Sequence, residues 1–456
     1  MTRTQVNRFS RRSFLGQTIG ATVALGAMAG LIACSQSAPP PAPTASTASG
    51  TAAPAQAPAQ TNGSAKTINL VWSGWILDQN PIINKLIDSY AKATGVKVTT
   101  STAPSDLQQK ILLEANQKKS TWGGWEGHTA FLNTAPLVAA NALASFDAYL
   151  TEADKKDLLP TSIAEVTYKG KMYEFPFRVS PMAMIYRPSI LEKLGYQQPP
   201  DTWDGVYALC EKAKADLSTS GKPFYGIVIW STAWYGLWEV METLTPEPFD
   251  TNAGLANMDI PEAVQAMDVM KKLYSYAPTD TLSTDPTNYF QSGNVAMMLI
   301  YVLQAQRVKK ALNGDVRIGR VPKTAKAQGT IFWSSGADLF ANYGDVEDSA
   351  KFWLWLSNQK ELYDSLWVQN GSPPNRISML QKFNDLKGKQ LDPGFWDASD
   401  MQAHSQGIPN SLWIPTQATF TKTETENYLL GKTSSADQAI QAIKKQTADE
   451  IAKQKQ

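Results

Sequence analysis

Cysteine and histidine are scarce in this chain of 456 residues, which has two of each: Cys34, Cys210, His128 and His404. The sequence contains no H-E-x-x-H or C-x-x-C spacing, so we expect neither a metal nor any other cofactor. It also contains no G-x-S-x-G sequence. We therefore expect a protein that is not an enzyme. Cys210 lies in an apolar helical pattern, which is typical of a core residue rather than a nucleophile.

A long apolar segment that could span a bilayer comfortably is also missing. One shorter apolar run, residues 19–33, follows the sequence SRRSFL at residues 10–15 and ends in LIAC at residues 31–34. Paired arginines before such a run are typical of a twin-arginine export signal, and LIAC matches a bacterial lipobox. We therefore expect residues 1–33 to be a signal peptide and Cys34 to carry a lipid anchor on the extracytoplasmic face of the cell membrane. Cys210 then has no disulfide partner.

An excess of positive charge is absent as well. Without residues 1–33, which hold four arginines and no acid, 38 basic residues face 41 acidic ones, a formal charge of −3. We expect no nucleic-acid partner, because no basic stripe is present. Residues 38–65 consist of Ala, Pro, Ser, Thr, Gln, Asn and Gly without charge, and such a composition cannot bury a core. Residues 34–65 are therefore predicted to be a disordered tether.

Alternating strand and helix patterns follow the tether. We predict strands at Thr67–Trp72 and Val96–Thr100 and helices at Ile82–Thr94 and Leu107–Asn116. This alternation favours an α/β fold with a mostly parallel sheet, in which ligands gather at the carboxyl ends of strands. Two such ends are predicted, at residues 73–75 and 122–128. The 391 residues that follow the tether are enough for two domains.

The most informative stretch is YKGKMYEFPFRVSPMAMIYR at residues 168–187. Its first part predicts a hairpin turning at Lys169-Gly170. Its middle, Phe175-Pro176-Phe177, predicts a proline-bounded turn, and Met182–Tyr186 predicts a buried strand. Thr202 then precedes Trp203 as a helix cap.

This order of hairpin, aromatic turn, apolar strand and PP-x-TW-[DE] resembles the family 1 extracellular solute-binding proteins of ABC importers, whose best-known members bind maltose and oligosaccharides. The sequence YFQSGNVAM at residues 289–297 is similar to a family motif, as are IFWSSG at 331–336 and GSPPNR at 371–376. The resemblance implies a two-lobed fold with a ligand cleft and three interlobe crossovers. It implies one lobe at 66–180 plus 335–371 and another at 181–334 plus 372–456. It also implies a carbohydrate ligand, ABC permease partners and a monomer.

Aromatic residues on predicted loops are the leading candidates for a ligand wall, because a sugar presents a face of C–H groups that packs flat on an aromatic ring. The polar candidates could form hydrogen bonds with the rim hydroxyls. Trp72, Trp353 and Trp355 are instead predicted to be core residues. The candidate ligand-binding residues are Trp75, Asp78, Trp125, Glu126, Arg178, Ser180, Trp230, Trp234, Tyr235, Tyr301, Trp333, Ser335, Asn375 and Arg376.

Three alternatives to a carbohydrate importer subunit remain open in the sequence. Pairs of Asp and Glu could serve a secreted sugar-cleaving lipoprotein, because sequence does not give the distance between carboxylates. A sensor subunit could bind the same ligand and dock on a receptor. Arg178 and Arg376 leave room for an anionic solute such as a glycerol phosphate.

Overall fold

The computed structural model describes residues 66–229 and 233–455, apart from the side chain of His128. The predicted signal peptide, the predicted lipidation site Cys34, the predicted tether and the candidate residue Trp230 lie outside these described residues. The described chain belongs to a single compact unit. The boundaries of the two predicted lobes stay a prediction.

Thirteen strands occur in the described chain. They are β1 (Thr67–Trp72), β2 (Lys97–Thr102), β3 (Gly124–Thr129), β4 (Leu143–Ala144), β5 (Thr167–Tyr168), β6 (Lys171–Met172), β7 (Glu174–Tyr186), β8 (Tyr225–Ile229), β9 (Phe249–Asp250), β10 (Leu255–Ala256), β11 (Val295–Tyr301), β12 (Arg317–Gly319) and β13 (Phe332–Phe340).

Eighteen α-helices accompany them in the same residues. They are α1 (Gly74–Gln79), α2 (Ile82–Thr94), α3 (Leu107–Asn116), α4 (Ala130–Ala139), α5 (Glu152–Lys156), α6 (Pro160–Val166), α7 (Pro188–Lys193), α8 (Trp203–Leu217), α9 (Ala233–Leu244), α10 (Pro261–Tyr274), α11 (Pro286–Ser292), α12 (Leu303–Lys309), α13 (Val346–Leu356), α14 (Lys360–Tyr363), α15 (Ile377–Gln381), α16 (Gly394–Ala403), α17 (Ile414–Leu429) and α18 (Ala436–Gln454).

The main sheet has the strand order β2-β1-β3-β13-β7-β11-β8. Strand β1 runs parallel to β2 and β3, and β11 runs parallel to β8. In the centre, β13 is antiparallel to β3 and β7, and β7 is antiparallel to β11. The prediction of a mostly parallel sheet is therefore wrong for the central strands. The strand-helix alternation that supported it describes the outer strands, whereas β7 and β13 join the sheet in the opposite direction.

Strand β7 is the element that connects the two sides of the sheet. Its first part, up to Pro181, pairs with β13, and the part from Met182 pairs with β11. The predicted turn at Phe175-Pro176-Phe177 is wrong, because the strand continues through both prolines. Proline lacks an amide donor and fits a strand where the ladder is interrupted. Pro176 lies at a register shift, and Pro181 lies where the pairing partner changes.

Residues 122–128 were expected to form a loop after a strand, but Gly124–Thr129 is itself a strand. These residues form a strand because the backbone at Gly124 lies very close to the backbone of β13 at Asp338. A Cβ atom on Gly124 would lie 2.1 Å from the carbonyl oxygen of Asp338, so glycine lets β3 pack directly beside β13. This places Glu126 inside the sheet rather than on a loop.

Several local predictions are confirmed. Strand β1 and helices α2 and α3 have the predicted bounds. Thr202 accepts a hydrogen bond from the Gly205 amide as the cap of α8. The β5–β6 hairpin turns through Lys169 and Gly170, both with positive φ. Cys210 is buried in α8, and the Trp72 and Trp353 rings pack 4.9 Å apart in the core.

Candidate functional site

One face of the two central strands collects many of the candidate residues. Residues directly opposite in an antiparallel pair share a face, and so do alternate residues along one strand. Ser335 lies opposite Arg178, and Trp333 lies opposite Ser180. Tyr301 of β11 lies opposite Met182, two residues beyond Ser180. We call the face formed by Arg178, Ser180, Tyr301, Trp333 and Ser335 the central face.

Arg178 and Glu126 form a buried ion pair at one end of the central face. The Arg178 Nη2 atom donates to Glu126 Oε1 at 3.2 Å, and the two side chains are each only 4% exposed. The guanidinium lies 4.9 Å from the centre of the Trp75 ring, a cation–π contact. Trp75 belongs to the first turn of α1 and is 40% exposed. One side of the pair is therefore covered by an aromatic ring that also reaches solvent.

Three buried polar atoms of these residues have no hydrogen-bond partner among the described residues: Arg178 Nε, Glu126 Oε2 and Ser180 Oγ. A buried polar group without a partner costs free energy, so such groups call for an explanation. Arg178 Nε can donate a hydrogen bond, Glu126 Oε2 can accept one, and the Ser180 hydroxyl can do both. This combination suits a ligand whose hydroxyl groups both donate and accept.

Glu174 lies close enough to this ion pair for both of its charges to shift the Glu174 pKa. Burial raises the pKa of Glu126, and the Arg178 charge partly opposes that rise. The pKa of Glu174 is raised well above its usual value, first by burial and then by the negative charges of Glu165 and Asp338. Arg178 lowers the pKa of Glu174, so its field reaches both Glu126 and Glu174.

Aromatic rings cover the other end of the central face. The Trp333 ring centre lies 3.6 Å from that of Tyr301 and 5.3 Å from that of Tyr235. Tyr235 in turn contacts Trp234, with ring centres 3.5 Å apart. Trp333 and Tyr235 are half-buried, so part of each ring is available for contact. Burial raises the pKa of the Tyr235 hydroxyl, which therefore stays protonated and able to donate.

Trp234 is less accessible than its neighbours. It is 6% exposed, and its ring lies 4.6 Å from Trp238 and 5.9 Å from Phe131. Trp234 therefore supports the hydrophobic core as well as the aromatic end of the face. A substitution there is expected to affect folding, contrary to the expectation for a side chain that only lines a cleft.

Two buried glutamates hold the start of β13 and were missed by sequence reasoning. Glu239 of α9 accepts from the Ile331 amide at 2.7 Å and from the Thr330 hydroxyl. Glu165 of α6 accepts from the Ser334 amide at 2.8 Å. Burial raises the pKa of each to about 8. A signal for Glu239 existed, because it and Glu242 are the acids of the otherwise apolar helix AWYGLWEVMETL. Glu165 offered no comparable signal.

The structure does not bring four other candidates to the central face. Asn375 donates to Ser334, whose side chain alternates with Trp333 and Ser335 and so belongs to the opposite face. Arg376 is buried and bonded to Asp154 and Asp157 at 3.1 Å. Trp125 packs with the Val71 and Leu107 cluster, and Asp78 is exposed on α1.

No group of three histidine, cysteine or acidic side chains in residues 66–229 and 233–455 is arranged to hold a metal ion. Among the same residues, no helix combines the length and apolarity needed to cross a membrane.

Comparison with known sequences assigns a family. The profile of the family described as bacterial extracellular solute-binding protein matches residues 85–403, and the chain belongs to this family. One curated relative is the "Probable ABC transporter-binding protein" of Deinococcus radiodurans, 24% identical over 219 residues. The match covers 46% of this chain and 52% of that protein, so the chain spans about half the length of this relative.

Solved structures define the fold. An ABC transporter solute-binding protein from Thermotoga lettingae bound to α-D-tagatose superposes with a TM-score of 0.69 at 17% identity, covering 84% of this chain and 99% of that one. The maltose/maltodextrin-binding domain MalE from Bdellovibrio bacteriovorus, bound to maltotriose, gives 0.68 at 15% identity, covering 85% and 100%. The chain therefore has the mixed α/β fold of two-lobed sugar-binding proteins. Those two ligands differ in length, so the shared fold does not set the size of the ligand.

Proposed function

We propose that this protein is the solute-binding subunit of an ABC importer and that it binds a carbohydrate, with an oligosaccharide as the expected ligand. The central face, together with the adjoining Tyr235 and Glu126, carries this proposal. It combines an aromatic end at Trp333, Tyr301 and Tyr235 with buried polar atoms of Arg178, Glu126 and Ser180 that lack partners. Aromatic rings and hydroxyl-bonding groups side by side match the two kinds of surface that a sugar ring offers.

Recognition would use both ends of the central face. The C–H face of one sugar ring packs on the half-buried Trp333 ring, and its hydroxyls reach Ser180 and the Tyr235 hydroxyl. A second ring packs towards Trp75, where hydroxyls bond to the free atoms of Arg178 and Glu126. Each end has its own aromatic surface and its own polar atoms, which supports a ligand of more than one ring.

Delivery requires the permease to distinguish the ligand-bound protein from the free protein. We propose that two lobes, residues 66–180 plus 335–371 and residues 181–334 plus 372–456, close over the ligand. The crossover segments lie near Pro181, Ser335 and Ser372, and a few residues at element ends commonly absorb such a motion. A ligand shifts the equilibrium only by its differential affinity for the closed form. The permease would then bind the closed arrangement.

Location and partners complete the proposal. Export through the twin-arginine signal, cleavage after Ala33 and lipidation of Cys34 would hold a monomer at the outer face of the cell membrane. The protein would act without a cofactor and without cleaving its ligand. A sugar-cleaving enzyme and a receptor-bound sensor are the competing functions, and neither has a separate supporting observation in the described residues.

A thermal-shift screen tests the proposal directly. A ligand that binds only the native state raises the unfolding midpoint, and the rise grows with ligand concentration. We expect at least one neutral mono- or oligosaccharide to raise it, and chromatography after incubation to recover that sugar intact. Cleavage products would support the enzyme instead. A panel of sugars and polyols that gives no shift, followed by calorimetry without heat of binding, would refute carbohydrate binding.

A further inference from the structure

Arg178 and Arg376 are the two buried cationic side chains among the described residues. Either could hold an anionic solute if its charge were available. A buried charge needs a partner, because desolvation strongly disfavours an isolated ion. The charge balance around these arginines therefore bears directly on the charge of the ligand.

Neither arginine has an unmatched charge. Arg376 contacts Asp154 and Asp157 at 3.1 Å each and donates to Ser357 at the same distance. Arg178 contacts Glu126 at 3.2 Å. Glu174 also lies within the field of Arg178, because the Arg178 charge lowers the pKa of Glu174.

We infer that this site selects neutral carbohydrates and excludes anionic sugars, and that Glu126 is the residue that sets this selectivity by neutralising Arg178. The inference rests on the proposed function, because it concerns the same site. A phosphate or carboxylate placed on the central face would meet a guanidinium already paired with Glu126. Binding it would also bring a second negative charge beside the Glu126 carboxylate, and like charges brought together oppose binding.

The free atoms of the ion pair fit a neutral ligand. Arg178 Nε can donate one hydrogen bond, and Glu126 Oε2 can accept one. A hydroxyl group satisfies both kinds of atom without adding charge. An anion can satisfy only the donor and leaves the carboxylate oxygen facing a like charge.

The test uses matched neutral and anionic probes: glucose with glucuronate, galactose with galacturonate, and tagatose with tagatose 6-phosphate. Calorimetry on the wild-type protein should show that each anionic probe binds about a hundredfold more weakly than its neutral counterpart. Glu126→Gln keeps the size of the side chain but removes its charge. This variant should bind the anionic probes at least about tenfold more tightly than the wild type does.

Two further variants separate charge from shape. Glu126→Asp retains the charge and should keep the preference for neutral probes even if all affinities fall. Glu192→Gln removes an exposed acid of α7 and should leave the selectivity unchanged. If Glu126→Gln does not fold, as judged by circular dichroism, the wild-type ratio and Glu126→Asp still decide the question.

The outcomes distinguish this inference from the proposed function. Wild-type protein that binds an anionic probe as tightly as its neutral counterpart overturns the inference and leaves carbohydrate binding intact. Folded Glu126→Gln without gain for the anionic probes also overturns it. A protein that binds no carbohydrate of either charge overturns both.

Discussion

Raising the pH should weaken the fold through Glu165, and replacing this residue with glutamine should reduce the effect. Glu165 is 1% exposed, and its carboxylate accepts a hydrogen bond from the Ser334 amide. Burial raises its pKa from the ordinary value of 4.5 to about 8. The native state therefore holds the proton more tightly than the unfolded chain does.

The sign and size follow from that difference. The stability linked to this proton is fully present below the unfolded pKa of 4.5 and is lost as the pH rises through about 8. Each pH unit in this window costs at most about 1.4 kcal/mol per group. Between about pH 5 and about pH 8 the loss from Glu165 alone reaches at most about 4 kcal/mol. Glu239, whose pKa is also about 8, adds a similar dependence.

Denaturant unfolding at a series of pH values measures this effect. Glutamine has the size of the neutral acid, and its carbonyl oxygen can still accept from Ser334. Glu165→Gln should therefore match the wild type near pH 5 and exceed its stability by about 2–4 kcal/mol near pH 8. The variant still contains Glu239, so part of the dependence of the unfolding free energy on pH should remain. Glu192→Gln is the matched exposed control and should follow the wild type.

A Glu165→Gln variant whose stability falls with pH as steeply as the wild type would refute the reasoning. So would a variant less stable than the wild type near pH 8. Either result would mean that the native carboxyl is ionised at neutral pH and that the hydrogen bond from Ser334 outweighs burial.

Four further predictions address the site, the scaffold, the motion and the anchor. Trp333→Ala should weaken sugar binding by about 1–3 kcal/mol in calorimetry with a small change in melting midpoint. Trp234→Ala should lower both the sugar affinity and the melting midpoint, because its ring is buried. Equal losses of melting midpoint in the two variants would contradict the division into a site residue and a core residue. Arg376→Ala should lower the free energy of unfolding by about 3 kcal/mol by breaking a buried charge network, while sugar affinity measured on folded protein stays the same; a selective loss of affinity would instead make Arg376 a ligand residue. A saturating sugar should reduce the radius of gyration in solution scattering, and identical profiles with a verified ligand would exclude lobe closure. Cys34→Ala should prevent lipidation in cells, as detected by fatty-acid labelling, and a labelled variant would disprove the lipobox interpretation.

Local elements could be predicted well from the sequence because their causes lie within a few residues. The apolar spacing of Ile83, Leu86, Ile87 and Tyr90 predicted α2 and its buried face, which the structure confirms. The same holds for the cap at Thr202. Prediction failed where contact with a segment far away in the sequence decides the local conformation. The strand at Gly124–Thr129 depends on the close approach of Asp338, more than 200 residues later.

The candidate site was predictable in its residue types but not in its arrangement. Arg178 and Arg376 each lie two residues after a proline in a loop-like sequence, and sequence reasoning treats them alike. In the structure, Arg178 lies on the central face, whereas Arg376 is bonded to Asp154 and Asp157. The difference arises because strand pairing and burial depend on which distant segments meet.

The sequence by itself determined the class of fold and the aromatic and polar residues available for a ligand, while the export and anchoring signals at the N-terminus stay a prediction. Periodicity, caps and composition act over short stretches, so they can be recognised without the rest of the chain. The tertiary structure alone decided that Ser180 lies opposite Trp333, that Glu126 forms an ion pair with Arg178 and that Glu165 and Glu239 hold the start of β13. These contacts depend on strand register and on burial across the whole sheet, because the charge state and the exposed surface of a side chain are set by its neighbours in space.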